Sequence, residues 1–196
     1  MANFLNLKSI KLKETDFDDK EYKVEKYSFL TSGDWYKVDG VLTIDDINNI
    51  NQLNKETYLI FENTKNLDVD VLKQINNHNI KFSLIGGNDY INKNKFMKDD
   101  YVKRTIVEKD HLIDIIEYFE KIESQIDKSW NETQKCMFLY DCIVKDFKYE
   151  DNYDSIFKNR IEPERGLNGI LYKKLVCAGF SQVFKEGLDR FGIENY

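Results

Sequence analysis

Apolar and polar positions recur along this chain with two different periods, and the switches between them mark out its elements. Phe4, Leu5, Leu7, Ile10 and Leu12 stand against Asn and Lys, as in an edge strand. Residues 36–42 read as a strand bent at Gly40. Residues 58–61 and 80–85 are apolar runs of buried-strand length, and Ile106 and Val107 extend a further short strand from Thr105. Between the strands the spacing is helical. Ile44, Ile47, Ile50 and Leu53 share a face behind Thr43, a good N-cap, and Val69, Leu72 and Ile75 share another. Strand–helix–strand order with buried apolar strands predicts a small α/β layer with a mostly parallel sheet.

After residue 107 the helical period takes over. Leu112, Ile115, Ile116, Phe119, Ile122 and Ile126 lie on one face of a helix that Asp110 would cap. Ser129 and Glu132 have capping-box spacing, and the helix they start carries Cys136, Leu139, Tyr140, Ile143 and Val144 on one stripe, with Cys142 off it. These signals predict an N-terminal α/β domain over residues 1–127 and a second region over 128–196. In a last helix Phe180, Val183, Phe184, Leu188 and Phe191 share a face. Gly192 is placed for a left-handed cap, with Ile193 as the apolar contact beyond it.

Composition narrows the function classes. The chain has 196 residues, 41% apolar and 33% charged, with a net charge of −6. That is enough for one generous domain or two small ones, and the acidic balance argues against nucleic acid or an anionic membrane as partner. No run approaches the ~20 apolar residues of a membrane span, and residues 1–8 lack a signal-peptide pattern, so a cytoplasmic placement is expected. Three cysteines do not make a disulfide framework, and their odd number suits a reducing compartment. No Cys-x-x-Cys or His-x-x-x-His spacing supports a metal site. Gly86-Gly87 lacks the spacing of a phosphate loop and reads as a turn, so no cofactor is expected. His78 and His111 read as surface or capping residues, and the lysines from Lys93 to Lys103 as a solvated loop.

The chemistry concentrates at Cys177. It stands where the apolar pair Leu175-Val176 meets the start of the last helix, a setting that favours an anion and hence a thiolate nucleophile. A small buried hydrophobe is the competing reading of a free cysteine.

One series of residues resembles a known family. Leu167-Asn168-Gly169-Ile170-Leu171, then Leu175-Val176-Cys177-Ala178-Gly179-Phe180-Ser181, then Phe184, Leu188 and Phe191-Gly192-Ile193, resembles the bacterial transglutaminase-like superfamily, which shares the papain-like cysteine-peptidase core. The preceding helix, with Tyr140-Asp141 and Ile143 followed by Phe147 and Tyr149, is similar as well. The resemblance spans residues 129–194 and implies the helical first half of that core. It also implies that Cys177 is the nucleophile of a Cys-His-Asp triad, attacking an amide carbonyl of a protein or peptide and passing the acyl group to water or an amine. In the family the histidine follows the cysteine, whereas no histidine follows Cys177 in this sequence. The expectation is therefore a thiol protein that is inactive as given. Either a C-terminal part completes the triad and covers the Cys177 helix, or a degenerate region serves as a noncatalytic scaffold. A second copy of the chain is a further candidate to cover that helix.

Overall fold

The computed structural model describes residues 7–10, 33–38, 40–61, 63–84, 106–151 and 166–195. They fall into two compact units. One comprises Met1–Glu62 with Asn66–Lys109, and the other Asn63–Lys65 with Asp110–Tyr196. The division lies at Lys109–Asp110, ahead of the 127/128 boundary that the polar break predicts. The helix after Lys109 belongs with the residues that follow it.

The first unit is an α/β layer, as the hydrophobic pattern predicts. Its strands are β1 (Leu7–Ile10), β2 (Asp34–Val38), β3 (Thr57–Phe61), β4 (Ile80–Leu84) and β5 (Ile106–Val107). They form one sheet in the order β1-β2-β3-β4-β5. The inner strands β2, β3 and β4 are parallel, with Trp35 opposite Tyr58 and Leu59 opposite Phe82, and both edges pair antiparallel. Helix α1 (Ile44–Asn51) carries the chain from β2 to β3, and helix α2 (Val69–Lys73) from β3 to β4. Every residue of β3 is buried, which is why its sequence shows a continuous apolar run and no alternation. Trp35 and Tyr58 stack with ring centroids 4.2 Å apart, adding an aromatic pair to the register.

Thr43 caps α1 as its sequence position predicts. Its hydroxyl accepts from the Asp46 N–H at 3.2 Å, while the Asp46 carboxylate accepts from the Thr43 N–H at 3.0 Å. Asp46 itself is fully buried, so its carboxylate depends on this reciprocal cap. Thr43→Val keeps the volume and removes the hydroxyl. It is expected to lower the unfolding free energy by about 1 kcal/mol in urea titration at unchanged m value. A loss under about 0.3 kcal/mol would show that the cap contributes little. The last turns are tied together by Asn77, whose Nδ2 donates to the carbonyls of Ile50 at 3.0 Å and Leu53 at 2.7 Å. The Gly86-Gly87 turn and the lysine-rich stretch from Lys93 to Lys103 lie outside the described residues.

The second unit is mostly helical. It contains α3 (Lys109–Glu123, from Asp110), α4 (Glu132–Asp146), β6 (Lys148–Tyr149), α5 (Gly169–Tyr172), β7 (Lys174–Leu175) and α6 (Cys177–Phe191). Asp110 falls inside the first turn of α3, not at its cap. The capping box of α4 is displaced by two residues from the predicted one. Asn131 is the N-cap and exchanges bonds with Gln134 at 2.9 Å each, while Ser129 donates to Asp127 from both its N–H and its hydroxyl. An asparagine reaches its N3 partner as well as a serine does, and here the Gln134 side chain completes the box where Glu132 was expected.

The stripe on α4 is also thinner than its spacing predicts. Leu139 and Ile143 are buried, but Tyr140 and Val144 are exposed, and Cys136 is only half-buried. The C-terminus of α6 agrees with the sequence. Gly192 adopts φ 72°, its N–H donates to the Asp189 carbonyl at 3.1 Å, and the Ile193 N–H donates to Leu188 at 3.0 Å. That pair of bonds is the Schellman motif, with Leu188 and Ile193 both buried as its apolar contact.

Candidate functional site

The extended segment before Cys177 is held by a short parallel pair. The Lys148 N–H donates to the Lys173 carbonyl and the Glu150 N–H to the Leu175 carbonyl, each at 3.0 Å. A Lys174–Glu150 ion pair at 2.8 Å lies on the exposed side of that pair. Leu175 and Val176 are buried, and Cys177, the first residue of α6, is exposed. Val176 is the N-cap and supplies no side-chain bond, so the first N–H groups of α6 are not capped by a side chain. The Tyr149 ring stacks on Phe180, one turn into the helix, at 6.3 Å and 7°. Among the described residues no side chain is hydrogen-bonded to the Cys177 thiol. The Ser181 hydroxyl donates to its backbone carbonyl at 3.1 Å instead. Cys136 and Cys142 are half-buried, and burial and then Asp146 push the Cys142 thiol up from its ordinary range.

Behind Cys177 the helix is anchored by charge. The Glu186 Oε1 accepts from the Thr64 N–H and hydroxyl at 2.6 Å each. Arg190 Nη1 donates to the Thr64 Oγ1 at 2.9 Å, and Nη2 to the Glu123 carboxylate at 2.5 Å. Thr64, Glu186 and Arg190 are all buried, so the polar stretch after β3 places its threonine in the interior. Burial raises the Glu186 pKa, against the lowering effect of the Thr64 bonds and of Arg190. The phenylalanines Phe180, Phe184 and Phe191, predicted to form the packed face of α6, are only half-buried. The buried positions are Gly179, Val183, Glu186, Gly187, Leu188 and Arg190, so of the predicted face Val183 and Leu188 are packed inside.

A cleft of about 430 Å³ opens elsewhere in the same unit, lined by His111, Asp114 and Tyr118 of α3 and by Ile170, Leu171, Tyr172 and Lys173. Lys173 Nζ lies 4.9 Å from the Tyr118 ring centroid and 5.3 Å from that of Phe147. Burial, with Asp146 adding to it, raises the Tyr118 phenol well above its usual range. Cys177 does not line this cleft, and His78 belongs to the first unit, exposed in a turn. His111, Asp114 and Tyr118 recur three and four apart on α3, but their polar types conceal them behind the stronger apolar stripe of the same helix. Among the described residues no group of three or more His, Cys, Asp and Glu side chains is placed to hold a metal ion. No helix among them is long and apolar enough to cross a membrane.

No protein-family model, curated protein or solved structure matches this chain.

Proposed function

We propose that this chain is a thiol protein of the transglutaminase-like kind, with Cys177 as the nucleophile toward a peptide amide carbonyl. The observation that carries this reading is the placement of Cys177. It is the exposed first residue of a 15-residue helix whose first turn has no side-chain cap, while the other two cysteines are half-buried. The helix dipole and the first-turn N–H groups, which no side chain caps, favour an oxyanion beside the thiol. The Cys177 N–H is the first candidate donor for that oxyanion. Among the described residues no histidine or carboxylate is hydrogen-bonded to the thiol, so turnover requires a base and an orienting carboxylate from elsewhere.

The test uses the full chain and a peptidyl acyloxymethyl ketone, read by peptide mass spectrometry. Labelling is expected at Cys177 in preference to Cys136 and Cys142, with a rate that saturates as the probe concentration rises, and it disappears in Cys177→Ser. A rate that stays linear in probe, equal to that of iodoacetamide, would mark an accessible thiol with no substrate site and overturn the proposal. A noncatalytic interaction module is the second reading, favoured by Met137, Tyr140 and Val144 of α4. These lie three and four apart and are 64%, 59% and 53% exposed.

A further inference from the structure

We propose that the cleft between α3 and the corner from α5 to β7 binds a small zwitterion with an apolar side chain, a free amino acid or a dipeptide. This inference is independent of the chemistry at Cys177. His111, Asp114 and Tyr118 share one face of α3, at helical spacings of three, four and seven. Lys173 faces the same space from the corner, where it holds φ 56° and ψ 29°. A left-handed lysine costs roughly 1 kcal/mol relative to glycine, and strain of this kind persists where a side chain is needed in place.

What that conformation secures is the ammonium group over the rings of Tyr118 and Phe147. Cation–π contact positions a charge without neutralising it. Among the described residues neither Lys173 Nζ nor the Asp114 carboxylate has a hydrogen-bond or ion-pair partner, and the His111 ring has none either. The cleft therefore presents a cation, an anion and an imidazole, all unpaired, beside the apolar wall of Ile170 and Leu171. A simple anion would meet Lys173 but also Asp114, and a simple cation would meet the reverse. A ligand carrying both an ammonium and a carboxylate satisfies the two together, and an apolar side chain covers the wall. At about 430 Å³ the cleft is within the size range of small-molecule sites.

Isothermal titration of the full chain with leucine and with leucylglycine tests this, the two separating amino acid from dipeptide. Blocked forms serve as controls: N-acetyl-leucine lacks the ammonium and leucinamide lacks the carboxylate. Saturable binding of at least one zwitterion is expected, at least about tenfold weaker for both blocked forms. Asp114→Asn and Lys173→Gly should each weaken it by about tenfold, and the glycine also suits the left-handed backbone, so that variant remains folded. No saturable binding up to about 10 mM of either zwitterion would overturn the proposal. So would N-acetyl-leucine or leucinamide binding as tightly as leucine, or variants that bind as the parent does.

Discussion

Arg190→Met is expected to lower the unfolding free energy by about 3–5 kcal/mol, the usual effect of removing one partner from a buried charge network. Arg190 is 9% exposed and serves three acceptors, the Thr64 carbonyl, the Thr64 hydroxyl and the Glu123 carboxylate. Methionine keeps an unbranched apolar stem and removes the guanidinium, which lies 5.8 Å over the Phe119 ring, so the loss reads the charge and its contacts. With the guanidinium gone, the buried Glu186 keeps only its two Thr64 bonds. Urea titration measures the effect, and a loss under about 1 kcal/mol would show that the network is replaceable.

Should the methionine variant fail to fold, Glu186→Gln gives a second measure, in pH. Burial raises the Glu186 carboxyl, so the native state holds its proton to higher pH than the unfolded chain does. In the interval between those two values the native state binds more protons, and stability falls as pH rises through it. The contribution is whole below the ordinary carboxylate range and gone above the raised value. Glutamine still accepts from Thr64 but does not titrate. As pH rises above the ordinary carboxylate range the wild type should lose stability relative to Glu186→Gln, and parallel profiles would overturn the assignment.

The second large effect lies where α4 meets α6. A methyl group added at Gly187 would stand 2.6 Å and 2.7 Å from the two δ-carbons of Leu139, closer than such atoms approach. Leu139 is fully buried and has little room to yield. Gly187→Ala should therefore destabilise the protein by about 1–3 kcal/mol through overpacking, although alanine is the better helix former. Leu139→Ala should cost about 2–5 kcal/mol through the cavity it leaves. The double variant should lose less than the sum, because the truncated leucine makes space for the new methyl. An additive double-mutant cycle would show that the two helices do not meet at this pair.

The contrast between the two units follows from where their information lies. The α/β layer was legible because its strands are buried runs separated by short helices with local caps. Thr43 at α1 and Gly192 at α6 act through bonds within three to five residues, which spacing alone reveals. The α4 cap at Asn131 shows how far this goes. Ser129 and Asn131 are both good caps, and the sequence does not say which of the two nearby acceptors takes the first-turn N–H.

The packing of α6 was harder to read. Its three phenylalanines outweigh Glu186 and Arg190 in any hydrophobic count, yet the charged pair is inside and the aromatics are at its margin. A buried charge becomes affordable only when partners distant in sequence, here Thr64 and Glu123, arrive to satisfy it. The cleft at Lys173 has the same origin, since its two walls are separated by more than fifty residues of chain.

By itself the sequence determined the class of the fold, the succession of strands and helices in the first unit, the start and stop of the Cys177 helix, and the position of its cysteine at the first turn. Those depend on periodicity and on caps, which are properties of neighbours along the chain. Tertiary structure alone decided that Cys177 is exposed, that Glu186 and Arg190 are interior, and that His111, Asp114 and Lys173 share one cleft. Each of these depends on which groups remote in sequence pack nearby, and no local pattern encodes which remote group will arrive.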